Sequence, residues 1–265
     1  MTPSTKNILW IASYPKSGNT WVRFLACNLL FGRQESAATV SLLAPDIHEM
    51  GEALITGSHA GLVKTHFVYS PTLPLLERSV GAIYVVRHPA DVLVSNFYYA
   101  QRRAAIDAHS PAAFDRYFEE FVVSRGDPHW KSLGMGTWEE NVRSWLQSQR
   151  TFPVAAIRYE DLCADPLRVA RMLAQLLRPT STEKDVAQAM ENSSFSRMRQ
   201  IEETDIREQR PGIFYKPYLK QSIEAGNRFM RQGSAGSGVR CFTPGQRAHL
   251  IAAFRPLLVE LGYET

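Results

Sequence analysis

The chain has 265 residues, 45% of them hydrophobic, with a formal net charge of +4 from 30 Lys and Arg against 26 Asp and Glu. That apolar share supports one large α/β domain, and the mild positive excess suits an anionic ligand without implying nucleic acid, since no basic tract interleaves with aromatics. Cys27, Cys163 and Cys241 are widely separated and odd in number, so they offer no disulfide framework or metal pair and suggest reduced thiols in a cytoplasm.

The first element is an apolar run, Ile8 to Ala12, read as a buried strand. It is too short for a signal peptide or a membrane span, so no stable membrane insertion is expected. A polar loop follows, Tyr14-Pro15-Lys16-Ser17-Gly18-Asn19-Thr20, and a helical pattern begins near Trp21. Strand, tight loop and helix start together suit a phosphate, because first-turn N–H groups and the helix dipole favour an anion. Gly18 lets backbone approach a ligand, and Lys16 adds a charge. The ordinary phosphate loop reads G-x-x-x-x-G-K-S/T, whereas here the lysine precedes the only glycine. By itself the stretch could equally be a capped strand-to-helix turn.

Residues 34–61 read as loop with short helices, and Gly61 to His66 as a second short strand with a polar end, Lys64-Thr65-His66. Ala82 to Val86 is the clearest strand, β-branched and aromatic throughout as a central parallel strand requires. It ends in Arg87, and Pro89 opens a helix that carries Ser95 two turns on. Residues 101–135 read as a helical insertion able to cover a site. An amphipathic helix from Trp138, a strand ending at Ile157 and helices after Pro166 and Glu183 follow. Residues 193–198 read as a hydroxyl-rich turn, and 203–240 as mobile loops, the last of them basic and glycine-rich from Phe229 to Gly238. Thr243-Pro244 caps a final helix that Gly262 ends.

Five polar segments then fall in one order. The stretch Tyr14 to Trp21 resembles the 5′-phosphosulfate loop of the sulfotransferases that use 3′-phosphoadenosine-5′-phosphosulfate (PAPS), whose pattern is Tyr-Pro-Lys-Ser/Ala-Gly-x-x-Trp. Arg87 with Ser95 resembles that family's 3′-phosphate motif, Arg158-Tyr159-Glu160-Asp161 its Tyr-Glu-Asp segment, and Arg231-Gln232-Gly233 with Gly236 its C-terminal phosphate loop. Lys64-Thr65-His66 is similar to the segment that carries the catalytic histidine in cytosolic-type members.

The resemblance implies a single domain over 1–265, with a central, mainly parallel sheet, flanking helices and a P-loop-like nucleotide-binding core. It implies that Lys16, Ser17, Gly18, Asn19 and Thr20 hold the 5′-phosphosulfate, and that Arg87, Ser95, Arg231 and Gly233 hold the 3′-phosphate. Trp21, Tyr159, Ser193 and Phe195 would form the purine pocket. His66 would be the general base, Lys16 would neutralise the leaving phosphate, Lys64 would support the sulfuryl oxygens, and the product would be adenosine 3′,5′-bisphosphate (PAP). No metal is needed in that scheme, since the cations are side chains. Gln232 stands where the family usually has a second basic residue, and Ser237-Gly238 replaces an Asp-Trp, which predicts a looser loop. The family's dimerisation signature is unmatched near Phe242, so a homodimer would use another surface. The expected partner is a small-molecule hydroxyl acceptor, phenolic or lipophilic, met by Phe67, Tyr69, Phe97, Tyr98 and Phe114; the setting expected by analogy is a bacterial, cytoplasmic, natural-product-tailoring enzyme. Two other readings stay open: a phosphoryl-transfer enzyme with a variant loop, and a nucleotide-binding module without catalysis.

Overall fold

A computed structural model describes residues 7–49, 61–103 and 111–264. Four strands form one parallel sheet in the order β2-β1-β3-β4, with β1 Ile8–Ser13, β2 Leu62–Thr65, β3 Ser79–Val86 and β4 Val154–Arg158. β1 and β3 are central and carry continuous apolar runs, because helices cover both faces of a parallel sheet. The alternation of side chains divides those runs between two cores. Trp10, Ala12, Ala82, Tyr84 and Val86 enter one core, and Ile11, Ile83 and Val85 the other. The indole N–H of Trp10 donates to Ser79 Oγ at 2.7 Å, so even this buried ring has its polar atom satisfied.

Helix α1 (Asn19–Phe31) and α2 (Ala37–Leu43) follow β1, with α3 (Pro89–Arg102) after β3 and α4 (Pro111–Val123) after it. α5 (Trp138–Gln147) precedes β4, and α6 (Tyr159–Ala164), α7 (Pro166–Leu177), α8 (Glu183–Asn192) and α9 (Phe195–Arg207) follow it. α10 (Lys220–Glu224) is short, and α11 (Pro244–Glu260) closes the chain with a capping box between Thr243 and Gln246. Three-residue turns and a wider turn over Lys131–Met135 complete the connections.

Two expectations need correction. The turn over 193–198 is a helix start: Ser194 Oγ accepts from Arg197 N–H and caps α9. The stretch from 203 is helical to Arg207, and Glu202 and Asp205 point inward, 0% and 1% exposed. A charged sequence reads as solvated loop, but these carboxylates are buried as hydrogen-bond acceptors. Asp205 takes the N–H of Ala37, and Glu202 takes the N–H groups of Phe229 and Met230. Of the 101–135 insertion, residues 104–110 lie outside the described residues; α4 buries Phe118 and Phe121 in the first core.

The strands run the same way, so their C-terminal ends share one edge of the sheet. Across that edge stand His66 after β2, the 14–18 loop after β1, Arg87 after β3 and Tyr159 after β4. The chain turns to opposite sides of β1 to form β2 and β3, and such a switch point leaves a crevice between the connections.

Candidate active site

The crevice is built outward from the turn between β1 and α1. Lys16 has φ 68° and Gly18 φ 102°, so the chain passes through two left-handed residues before the helix begins. A Cβ on Gly18 would lie 2.4 Å from Cδ2 of Tyr159. Only glycine lets that ring seat there. α1 starts at Gly18 with no side-chain cap, which leaves its first turn open to an anion. Within the turn Ser17 N–H donates to Tyr14 O at 3.3 Å, so that amide is already engaged. Ser17 Oγ is buried without a partner among the described residues. Asn19 lines the crevice but spends its amide as a brace, Nδ2 donating to Ile11 O at 3.0 Å and Ser13 Oγ at 3.3 Å. Lys16, Gly18, Thr20 and Trp21 line the crevice as well.

Arg87 is buried and heavily held. Nη1 donates to Lys16 O at 3.3 Å and Nη2 to Ser234 O at 3.0 Å, with the Asp91 carboxylate 3.5 Å away. Its guanidinium lies 4.1 Å over the Tyr159 ring, whose edge meets Trp21. Arg87 Nε and Trp21 Nε1 are buried without protein partners among the described residues. Ser95, Phe195, Arg231, Gln232 and Gly233 line the same crevice. Gly233 has φ 63°, and a Cβ there would lie 2.1 Å from the Phe195 ring. Ser193 does not reach the crevice: its fully buried hydroxyl donates to Ala189 O at 2.7 Å and accepts from Asn28 at 2.8 Å. That inward bonding removes it from any purine pocket.

The glycine-rich loop is anchored. Asp91, 1% exposed, accepts from Gly236 N–H at 2.8 Å and Gly238 N–H at 2.6 Å, and Glu202 holds the loop's start. Gly238 also lies against the Ala90 carbonyl, where a Cβ would come to 2.5 Å. The predicted looseness at Ser237-Gly238 thus meets two buried carboxylates that the loop's own sequence does not reveal.

Lys16 sits between two rings, its Nζ 4.1 Å over Tyr99 and 4.3 Å over Phe229. Burial lowers its pKa to about 7, and Arg102, Arg87 and Arg231 push the same way, with only Glu202 opposing. This excess of buried positive charge fits a multiply anionic ligand.

His66 leaves the end of β2. Its Nδ1 lies 2.7 Å from Ser13 O and 3.2 Å from Ser13 Oγ. A backbone carbonyl only accepts, so the Nδ1 contact assigns the ring proton to Nδ1 and leaves Nε2 as the basic nitrogen. Burial holds His66 well below the ordinary histidine pKa of 6.5, helped by Lys64 and His48. Lys64 also lines the crevice but is engaged: its Nζ lies 2.7 Å from Asp46 Oδ2, with little of either side chain exposed. In that buried pair the Asp46 carboxylate already balances the Lys64 ammonium, so Lys64 offers a ligand little free charge. His48 stacks on His66 at 5.9 Å, and its Nε2 accepts the His66 backbone N–H at 2.8 Å.

Trp130, Met135 and Tyr218 line the crevice as well, beside the Tyr99 and Phe229 rings that flank Lys16. The aromatics expected there are elsewhere. Phe97 and Phe114 pack edge to face inside the first core, Tyr69 packs on Trp145 and Phe152, and Tyr98 lies under Arg231. Phe67 packs on His48 and receives Trp145 N–H at its carbonyl. Residues 50–60 of the expected acceptor wall lie outside the described residues. Sequence reasoning missed Asp46, His48, Asp91 and Glu202. Only Asp91 carried a signal, standing four residues after Arg87 on a helix.

The fold and crevice define a nucleotide-type transferase, with an anion cradle at one end and a basic nitrogen at the other. The description "Sulfotransferase domain" fits residues 6–262, and the chain belongs to the sulfotransferase family, whose members move a sulfuryl group from PAPS to an acceptor. Sulfotransferase 1A1 of Bos taurus is 28% identical over 251 residues, covering 90% of this chain and 79% of the relative. The Rattus norvegicus counterpart is 26% identical over 270 residues, covering 97% and 86%. Mouse sulfotransferase SULT7A1, solved in complex with PAP, shares the fold at TM-score 0.70 and 20% identity over 96% of this chain and 84% of its own. Retinol dehydratase in complex with retinol and PAP does so at TM-score 0.70 and 18% identity, covering 98% and 83%.

Proposed function

We propose that this enzyme transfers the sulfuryl group of PAPS to a hydroxyl of a small-molecule acceptor, with His66 as general base. The observation that carries the reading is the bond from His66 Nδ1 to Ser13 O, which leaves Nε2 basic in the same crevice as Lys16, Arg87 and Arg231. PAPS supplies the sulfuryl group on a phosphate leaving group. Lys16, Thr20 and the open first turn of α1 would grip the 5′ end, and Arg87, Ser95, Arg231 and the Gly233 backbone the 3′-phosphate. The paired charges and the two glycines that rings crowd support that fit. Gln232 is exposed and adds no cation to the 3′ end. Trp21, Tyr159 and Phe195 would hold the purine.

His66 takes the proton of the acceptor hydroxyl as its oxygen bonds to sulfur and the bond from sulfur to the phosphate oxygen breaks. Its depressed pKa keeps it neutral and ready to accept at pH 7. Lys16 then faces the charge that gathers on the departing phosphate, and positioning and charge stabilisation do most of the work. Lys64 would support the sulfuryl oxygens as an ammonium already paired with Asp46. Trp130 and Tyr218 favour a flat phenolic or lipophilic acceptor, and retinol dehydratase, a structural neighbour, was solved with retinol.

Radiolabelled PAPS assayed against phenols, aliphatic alcohols and glycosides tests the reading. Transfer to phenols, with PAP bound far more tightly than ATP, is expected. Magnesium-dependent turnover of ATP would overturn the class, and His66→Ala with undiminished transfer to an un-ionised phenol would overturn the base.

A further inference from the structure

The chain that carries His66 leaves the sheet at its edge strand. Past Thr65 no strand among the described residues pairs with its backbone. Buried backbone groups must nonetheless find partners. One face of α5 supplies them. Asn141 Nδ2 donates to His66 O at 2.8 Å, Trp145 Nε1 donates to Phe67 O at 2.9 Å, and Ser144 Oγ accepts from Tyr69 N–H at 3.0 Å. Positions 141, 144 and 145 share a helix face, so the helix lies along 66–69 like a splint.

Asn141 is the most constrained of the three. Its side chain is 0% exposed, and both ends are engaged. Oδ1 accepts from the Tyr84 hydroxyl at 2.8 Å, and Nδ2 donates to Met135 O at 2.9 Å as well as to His66 O. One amide therefore joins the central strand β3, the residue that bears the base, and the turn that presents Met135 to the crevice. It touches no reacting atom. We infer that Asn141 is a positioning residue for the transfer reaction, fixing the His66 backbone so that the imidazole meets the acceptor hydroxyl. The inference rests on His66 being the base.

The role separates from a merely structural one by the acceptor used. An un-ionised phenol needs its proton removed, whereas a nitrophenol already ionised at the assay pH does not. Asn141→Ala and Asn141→Asp are expected to lower kcat for the un-ionised phenol by about tenfold to a hundredfold. KM for PAPS should stay within about twofold, and kcat for the ionised nitrophenol within about threefold, because the donor grip and the transfer itself do not use Asn141. In a His66→Ala background the second substitution is expected to add nothing. Equal losses with both acceptors, or a rise in KM for PAPS that accounts for the loss, would overturn the role. If His66→Ala alone leaves the un-ionised phenol turned over at the wild-type rate, the base reading has failed instead. Tyr84→Phe provides the test should both Asn141 variants fail to fold. It keeps the ring in the core and deletes the donor to Oδ1 together with the hydroxyl's bond to the Tyr14 backbone, so KM for PAPS is read alongside; the same acceptor-selective loss in kcat is expected, about threefold to tenfold, and no selectivity there would overturn the inference.

Discussion

Lys16 is a residue whose charge state a bound anion should change. Its pKa stands at about 7 because burial and Arg102, Arg87 and Arg231 disfavour the ammonium, and a nearby phosphate reverses that balance. Between pH 7 and its ordinary 10.5 the free enzyme is largely unprotonated at Lys16 and the complex protonated, so binding takes up a proton. Calorimetry of PAP binding at pH 8.5 in buffers of differing ionisation enthalpy should show uptake approaching one proton; the uptake should vanish at pH 5.5 and in Lys16→Met. Gly18 carries a second prediction. A methyl there meets the Tyr159 ring at 2.4 Å and sits at φ 102°. Gly18→Ala is expected to cost about 1–2 kcal/mol of backbone strain and to displace the ring, weakening PAP binding at least about tenfold by titration.

At the scale of elements, the loop from Phe229 to Gly238 depends on carboxylates lent by two helices. Asp91 of α3 holds two of its N–H groups and Glu202 of α9 another two. Asp91→Asn keeps the shape but replaces one acceptor oxygen with a donor and removes the charge facing Arg87. Thermal unfolding should show a loss of about 1–3 kcal/mol, the usual cost of a spoiled buried hydrogen bond, and PAP should bind at least about tenfold more weakly. This loop also shows where sequence was opaque. The places of Lys16, Gly18 and Arg87 were legible because strand, turn and helix start sit together in the chain and fix their neighbours locally, whereas His66 ends a strand with no helix behind it and stood out only through the resemblance. The loop's anchors lie far away in sequence, and a glycine-rich string without hydrophobic period gives no hint of them. Helix α9 was misread for a related reason: charge usually marks solvent, and Glu202 and Asp205 use theirs against buried amides. Ser193 carried the right chemistry but turns inward to Ala189 and Asn28.

For the whole molecule, acid should erode stability through the paired histidines. His48 has its pKa lowered to about 4, chiefly by burial, and His66 lies well below 6.5. The unfolded chain therefore binds more protons than the native one between about pH 4 and 6.5, and stability falls as pH falls through that window. The linkage bounds the His48 share at about 3 kcal/mol, lost progressively as pH falls from 6.5 through about 4. The buried carboxylates of Glu160 and Glu202 have raised pKa values and act in the opposite sense, so the comparison must be made by difference. The melting-temperature advantage of wild type over His48→Gln should shrink steadily from pH 7 to pH 4; a constant difference would show that His48 does not titrate on unfolding.

The strand order β2-β1-β3-β4 puts His66 just past the edge strand β2, while the 14–18 loop follows β1, Arg87 follows β3 and Tyr159 follows β4. Tyr218 and Trp130, the outer wall of the crevice, come from connections that lie outside the sheet altogether. On the proposed reading, Trp130 and Tyr218 of the acceptor wall are hung on the margin of the fold, whereas the phosphate grip is rooted in its strand ends. Such a division lets a lineage exchange its acceptor wall piece by piece, or lets a designer graft another, while the costly machinery for the shared donor is inherited intact.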